Sequence, residues 1–236
     1  MISKKFIWEQ FLKKEPSNID FRSIIISGSD EYKAKAWEQF LEQKSSNTDD
    51  LIFIIMHGSD EYYKAKAWKQ FLERGPSNND ICYIIKYGPT EYIAKAWKEL
   101  LMRSPSDNSF CSIIVSESIE YRAGAWKEFL KREPSNGEIR YIIRYGSTEY
   151  KAKASEELLK KEFHNIDLVC IIISGPEEYK IKAWEELLKR EPIDNYFSEI
   201  SKEGPRKYKK KAKKLLKERK KIRASSKEKI LKMLIE

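Results

Sequence analysis

Glu31-Tyr-Lys-Ala-Lys-Ala-Trp37 decides the fold because it keeps returning. It comes back as Tyr63-Lys-Ala-Lys-Ala-Trp68, Glu91-Tyr-Ile-Ala-Lys-Ala-Trp97, Glu120-Tyr-Arg-Ala-Gly-Ala-Trp126, Glu149-Tyr-Lys-Ala-Lys-Ala-Ser155 and Glu178-Tyr-Lys-Ile-Lys-Ala-Trp184. Counting from Trp8, the steps are 29, 31, 29, 29, 29 and 29, with Ser155 in the one slot where a tryptophan is due. Between the copies lies an Ile-Ile pair, at Ile24/Ile25, Ile54/Ile55, Ile84/Ile85, Ile113/Ile114, Ile142/Ile143 and Ile171/Ile172. Glycine follows at Gly28, Gly58, Gly88, Gly146, Gly175 and Gly204. Self-similarity at a fixed period of this size is the mark of stacked supersecondary units.

Each unit reads as two helices. At about 100° per residue, Tyr32, Ala36, Phe40, Trp37, Leu41 and Ala34 cover an arc of about 200°, wide enough to pack against neighbours on two sides. Lys35, Glu38, Gln39 and Glu42 occupy the opposite arc. The shorter element, residues 17–27 and its equivalents, opens on Ser17 with Asp20 three residues later. The pattern repeats at Ser46 and Asp49, Ser77 and Asp80, and Ser135 and Glu138. That spacing is a capping box. The following glycine suits the left-handed position that ends a helix. The β-branched Ile pair would also suit a short buried strand; capping signals at both ends favour helix. A hairpin this small cannot bury its apolar faces alone, so copies must stack.

Composition narrows the classes. The chain has 236 residues, of which 41% are hydrophobic and 35% charged, too apolar and aromatic for a disordered protein. No apolar run approaches the ~18 residues of a membrane span, and the start lacks the hydrophobic core of a signal peptide. Cys82, Cys111 and Cys170 cannot build a disulfide framework, so the expected compartment is the cytoplasm. Residues 202–236 hold 16 Lys+Arg against 4 Asp+Glu, whereas residues 1–201 hold 30 against 33. The overall charge of +9 is therefore a property of the C-terminal end.

The lead-in and long helix, Gly28-Ser-Asp-Glu-Tyr-Lys-Ala-Lys-Ala-Trp-Glu-Gln-Phe-Leu41, resemble the second helix of HEAT-like repeats, with Asp30 at the acidic turn position, Lys33 at the basic one and Ala36 at an alanine. The likeness covers residues ~1–220 and is one of architecture. It implies an all-α, right-handed α-α superhelix (a solenoid) of about seven 29-residue helical hairpins. It also implies that Lys33, Lys64, Arg122, Lys151 and Lys180 form a structural ladder. This unit is shorter than the usual HEAT unit, has Lys for Arg, and carries a tryptophan outside the family's general pattern. Variant leucine-rich helical repeats are similar too, but their iron–sulfur cysteines are missing here. The expected organisation is an N-terminal capping helix over 1–15, a HEAT-like solenoid over 16–204 and basic C-terminal capping helices over 205–236. Within the last part, the long-helix pattern is expected with one residue deleted and a separate final helix at about 226–235.

Functional candidates are few. The Trp column falls inside the apolar arc and reads as core, and the tyrosines at its edge as packed rings with hydroxyls at the surface. Lys35, Lys66, Lys95, Lys153 and Lys182 share one outward position and could form a stripe that meets a partner. Lys95/Glu99, Lys153/Glu157 and Lys182/Glu186 are expected as ordinary surface pairs. His57 and His164 lack companions at ligand spacing, so no metal site is expected. No phosphate loop, serine elbow or carboxylate pair is present, and no cofactor or enzymatic activity is expected. The basic end, with Lys207, Lys209, Lys210, Lys211, Lys213, Lys214, Lys217, Arg219, Lys220, Lys221 and Arg223, is the candidate anion or nucleic-acid grip. The expected function is a non-catalytic scaffold for another protein, away from membranes. The alternative is phosphate gripping through the basic end and a solenoid face, and a HEAT-like DNA glycosylase ranks last because the units are so uniform.

Overall fold

The computed structural model describes residues 4–43, 47–116 and 120–235, and among them there is helix and no strand. The short helices are α2 (Asn18–Ser27), α4 (Thr48–His57), α6 (Asn78–Tyr87), α8 (Asp107–Ile114), α10 (Asn136–Tyr145), α12 (Asn165–Ser174) and α14 (Asp194–Glu203). Alternating with them are α1 (Lys4–Leu12), α3 (Asp30–Glu42), α5 (Glu61–Glu73), α7 (Thr90–Met102), α9 (Arg122–Lys131), α11 (Thr148–Lys160), α13 (Glu177–Lys189) and α15 (Arg206–Ile235). The strand alternative for the Ile pairs is thereby excluded. α15 runs unbroken where two helices were expected. Tyr208 and Ala212 fall one full period after Tyr179 and Ala183 and are buried, so no residue is deleted from the closing copy.

Two compact units result. The first holds α1–α7, the start of α8 through Ser109, and Tyr121; the second holds the rest of α8 and α9–α15. In the first, α2 packs on α3, α4 on α5 and α6 on α7, with α2, α4 and α6 also side by side. In the second, α10 packs on α11, α12 on α13 and α14 on α15, with α10, α12 and α14 in contact. These are helical hairpins, each closed by its short helix on its long one.

Two columns of side chains hold the hairpins together. Ala36, Ala67, Ala96, Ala125, Ala154, Ala183 and Ala212 are all 0% exposed, and their size lets a short helix approach closely. One turn further on, Phe40, Phe71, Leu100, Phe129, Leu158 and Leu187 are equally covered. Aromatic steps join successive long helices. In the first unit Trp8 meets Tyr32, Trp37 meets Tyr63, Trp68 meets Tyr92 and Trp97 meets Tyr121, with ring centroids 5.8, 6.1, 6.0 and 5.5 Å apart. In the second, Trp126 meets Tyr150 at 6.0 Å and Trp184 meets Tyr208 at 5.6 Å. Trp37 and Trp184 are buried, while Trp8, Trp68, Trp97 and Trp126 are half-buried. Ser155 leaves its step without an indole, and its buried hydroxyl has no hydrogen-bond partner among the described residues.

Helix ends show where local reading succeeds and fails. The capping boxes at Ser17/Asp20, Ser77/Asp80 and Ser135/Glu138 form as expected. Ser46 lies outside the described residues, and the cap of α4 is Asn47, whose side chain accepts from the Asp50 amide. The recurrent glycines are not left-handed: Gly88 has φ −74° and ψ 168°, and its equivalents are similarly extended. Glycine is needed for space instead, since a Cβ on Gly88 would lie 2.5 Å from the Ile84 carbonyl oxygen. Left-handed residues sit at the other turn, each just before a proline: Glu15, Gly75, Ser104, Glu133 and Glu191.

Two opposite substitution effects are expected. Gly88→Ala should lower the unfolding free energy by about 1–3 kcal/mol, because the carbonyl must move. Glu133→Gly should raise it by about 0.5–1 kcal/mol by relieving a φ of 54°. Urea titration reads both, and a neutral Gly88→Ala would disprove the steric account of the glycine.

Candidate functional site

The expected lysine stripe is committed locally. Lys35 Nζ lies 3.1 Å from Glu31, Lys153 Nζ 2.6 Å from Glu149, and Lys95 also pairs with Glu91. The partner is thus four residues before each lysine and not, as expected for Lys95 and Lys153, four after. Glu preceding Lys is the better orientation on a helix, and the later acids are engaged elsewhere: Glu99 with Arg103, Glu157 with Lys160 and Glu186 with Arg190. Each ammonium also lies over a tyrosine ring: Lys66 is 4.3 Å from the Tyr62 centroid, Lys95 4.5 Å from Tyr92 and Lys153 4.7 Å from Tyr150, while Lys35 and Lys182 cover Tyr32 and Tyr179. Lys33 bridges Asp30 at 3.8 Å and Asp60 of the next hairpin at 4.0 Å.

At the basic end the cations divide into two groups. Lys207 reaches Glu177 at 3.0 Å, Arg219 and Arg223 hold Asp194 at 3.1 and 2.6 Å, and Lys214 lies 4.0 Å from Glu218. Lys211 lies over the Trp184 and Tyr208 rings. Lys207, Arg219, Arg223 and Lys211 thereby fasten α15 onto its unit, whereas the Lys214–Glu218 pair lies within α15 itself. Lys210, Lys213, Lys217, Lys220 and Lys221 are exposed, Lys209 is half-exposed, and none of the six pairs with an acid among the described residues. The Arg219 hydrogen bond, reinforced by Arg223, holds the Asp194 carboxyl below its ordinary range. Burial, aided by Glu177, pushes the Tyr208 hydroxyl up to about 12.

A feature that the sequence reading passed over lies on the short helices. Tyr83/Tyr87 of α6 and Tyr141/Tyr145 of α10 are neighbours one turn apart, with centroids 4.9 and 4.8 Å apart. They point away from the Ile pairs, and Tyr87 and Tyr145 are both 57% exposed. Phe53 and His57 repeat the arrangement on α4 at 4.4 Å. In the first unit Phe53, Met56, His57 and Tyr83 line a groove of about 470 Å³, edged by Arg22 and Asp49. In the second, Tyr141, Tyr145, Ile166 and Cys170 line one of about 320 Å³, edged by Arg140, Arg144 and Glu199.

One polar device repeats beneath both grooves. Arg22 Nη1 donates to buried Asp50 at 3.0 Å, and Asn18 to the same carboxylate at 3.4 Å. Arg140 and Asn136 hold Asp167 in the same way, the asparagine at 3.1 Å, and the His164 amide donates to it at 2.7 Å. Each Arg is thereby fixed at a groove edge; Arg22 also stacks on Phe53, 3.9 Å from its centroid.

Little reactive chemistry is free. The cysteines are buried and donate to backbone carbonyls of adjacent short helices, Cys82 to Ser109, Cys111 to Glu138 and Cys170 to Arg140. Burial pushes the Cys82 and Cys170 thiols up to about 11. Among the described residues no group of His, Cys, Asp and Glu is placed to hold a metal ion, and no helix is long and apolar enough to cross a membrane. The chain is an all-α protein built of repeated helical hairpins. No known family, curated protein or solved structure matches it.

Asp194 gives a pH test of how α15 is fastened. Its carboxyl is depressed in the folded state, so its contribution is present at neutral pH and lost as pH falls through the folded value, below about 3.9. The difference in melting temperature between the wild type and Asp194→Asn should therefore close as pH is lowered past that point. A difference unchanged by acid would rule out the ion pairs as its source.

Proposed function

We propose that the chain is a non-catalytic cytoplasmic scaffold that binds another protein through the face of its short helices. The exposed tyrosine pairs carry this reading. Tyrosine offers a large, rigid, amphipathic contact area at small entropic cost, and aromatic and arginine anchors dominate protein interfaces. Here Tyr83, Tyr141 and Tyr145 line grooves whose edges hold arginine in fixed positions. Mixed edges, with Asp49 and Glu199 beside the arginines, suit a protein surface better than a uniform phosphate chain. The non-catalytic part of the reading is supported by the covered, protonated thiols and by the carboxylates bound to Arg22 and Arg140.

A second reading has its own support in the exposed lysines of α15, which suit a polyanion. Affinity capture from nuclease-treated extract of the source cells, at about 0.15 M salt, separates the two. Under the protein-scaffold reading, a specific protein is recovered by the wild type and by a Lys213→Glu, Lys217→Glu, Lys220→Glu, Lys221→Glu variant. Recovery falls at least tenfold with Tyr141→Ser plus Tyr145→Ser, about 1.4 kcal/mol or more. Equal recovery by the tyrosine variant would sink the reading. Oligonucleotide binding that falls steeply with salt and disappears with the lysine changes would establish the second one instead.

A further inference from the structure

Among the described residues no short helix closes on α1 as α2, α4 and α6 close on α3, α5 and α7. Three repeat columns meet on the uncovered face of α1. Ile7 stands one period before Ala36, in the column whose seven alanines are 0% exposed, yet Ile7 is 51% exposed and its neighbour Phe6 48%. Phe11 stands one period before Phe40, in the second fully covered column, and is only partly buried. Ile7 and Phe11 line two apolar hollows of about 200 and 340 Å³, with Trp8 and Tyr32 in the first and Phe6 and Lys14 in the second.

The third column is polar. Lys14 stands one period before Gln43, and the later members of the column include Arg103, Lys161, Arg190 and Arg219. Each of the five that follow Lys14 here reaches back to a backbone carbonyl in the turn before the short helix covering its own long helix. Gln43 donates to Pro16 at 3.0 Å, Arg103 to Pro76 at 2.6 Å, Lys161 to Pro134, Arg190 to Phe163 at 3.0 Å and Arg219 to Pro192 at 2.5 Å. Arg219 also holds Asp194, in the first turn of that short helix. Lys14 is exposed and has no such carbonyl among the described residues.

We infer that this face of α1 is a docking site for an acidic amphipathic helix of a partner protein, about the length of the chain's own short helices and preceded by a turn. Its aliphatic residues would cover Ile7 and Phe11 as a short helix covers the long helix it packs on. Because paired helices run antiparallel, its acidic first turn would meet Lys13 and Lys14 at the end of α1. The chain's own short helices supply the template, with acid in the first turn in every case, as at Asp20, Asp80 and Glu138. A second copy fits less well. Lys5, Lys13 and Lys14 outnumber Glu9 and Glu15 around α1, so a second such face offers less charge complementarity than an acidic helix does. The other end of the chain offers the still more basic α15. This site is separate from the tyrosine face and stands or falls independently of it.

The probe is a synthetic peptide with the sequence of residues 47–59, which is α4 with its turns, labelled for fluorescence anisotropy against the whole chain. Saturable binding is expected, absent for a scrambled peptide. Ile7→Lys should weaken it at least tenfold and Lys14→Glu several-fold, with melting temperatures unchanged because both side chains are exposed. Since a free helix of this length is marginal in water, the same segment is also joined ahead of residue 1, where association no longer limits it. A rise of several degrees in melting temperature, cancelled by Ile7→Lys, is expected. Failure of both the peptide and the fusion overturns the inference. So does sedimentation showing a dimer that Ile7→Lys abolishes, which would give the face to a second copy.

Discussion

A short helix can close on a long one here because the long helix presents alanine at the point of contact. Seven such alanines are fully covered, and everything else is arranged around that close approach. That approach is made by a short helix ended by glycine, where a Cβ would meet the carbonyl one turn back, as at Gly88 and Ile84. It also turns the remaining apolar arc of the long helix sideways, where indole meets phenol on the following long helix. The repeat period is the length of chain needed to complete that circuit once. Small departures are absorbed in the turns, as the longer step between Trp37 and Trp68 shows.

Charge is used mainly to fasten. The lysines following the Glu-Tyr step fold back over their own tyrosine rings and toward the preceding glutamates. Arg103, Arg190 and Arg219 tie down the turns before the short helices, and Arg22 and Arg140 satisfy buried carboxylates. A basic chain of this composition therefore shows less free positive charge than its count suggests. What remains uncommitted is concentrated on the outer side of α15.

The period, the two helices of each unit and three capping boxes were legible in the sequence because they are written in short-range spacings or in plain recurrence. Features that join a residue to its counterpart roughly one period away were not, although they too recur: Arg103 with Pro76, Arg22 with Asp50, Trp68 with Tyr92. Reading one copy against the next would have exposed them. The reason for the glycine was not legible either, since left-handed backbone and a missing Cβ make the same demand on sequence. The tyrosine pairs were visible as Tyr83-Ile-Ile-Lys-Tyr87 and Tyr141-Ile-Ile-Arg-Tyr145. The Ile pair between them belongs to the core, and its strong recurrence masks the outer face.

Three cysteines, too few for a disulfide framework, suit a reducing compartment. Their surroundings give them a different meaning. Each sulfur is covered and turned toward a backbone carbonyl, and at Cys82 and Cys170 burial keeps the proton on at physiological pH. Oxidation and exchange proceed through an accessible thiolate. The cysteines of the folded protein are thus shielded from redox chemistry by its own packing, and a single cysteine placed on its surface would be the only one to take up a label.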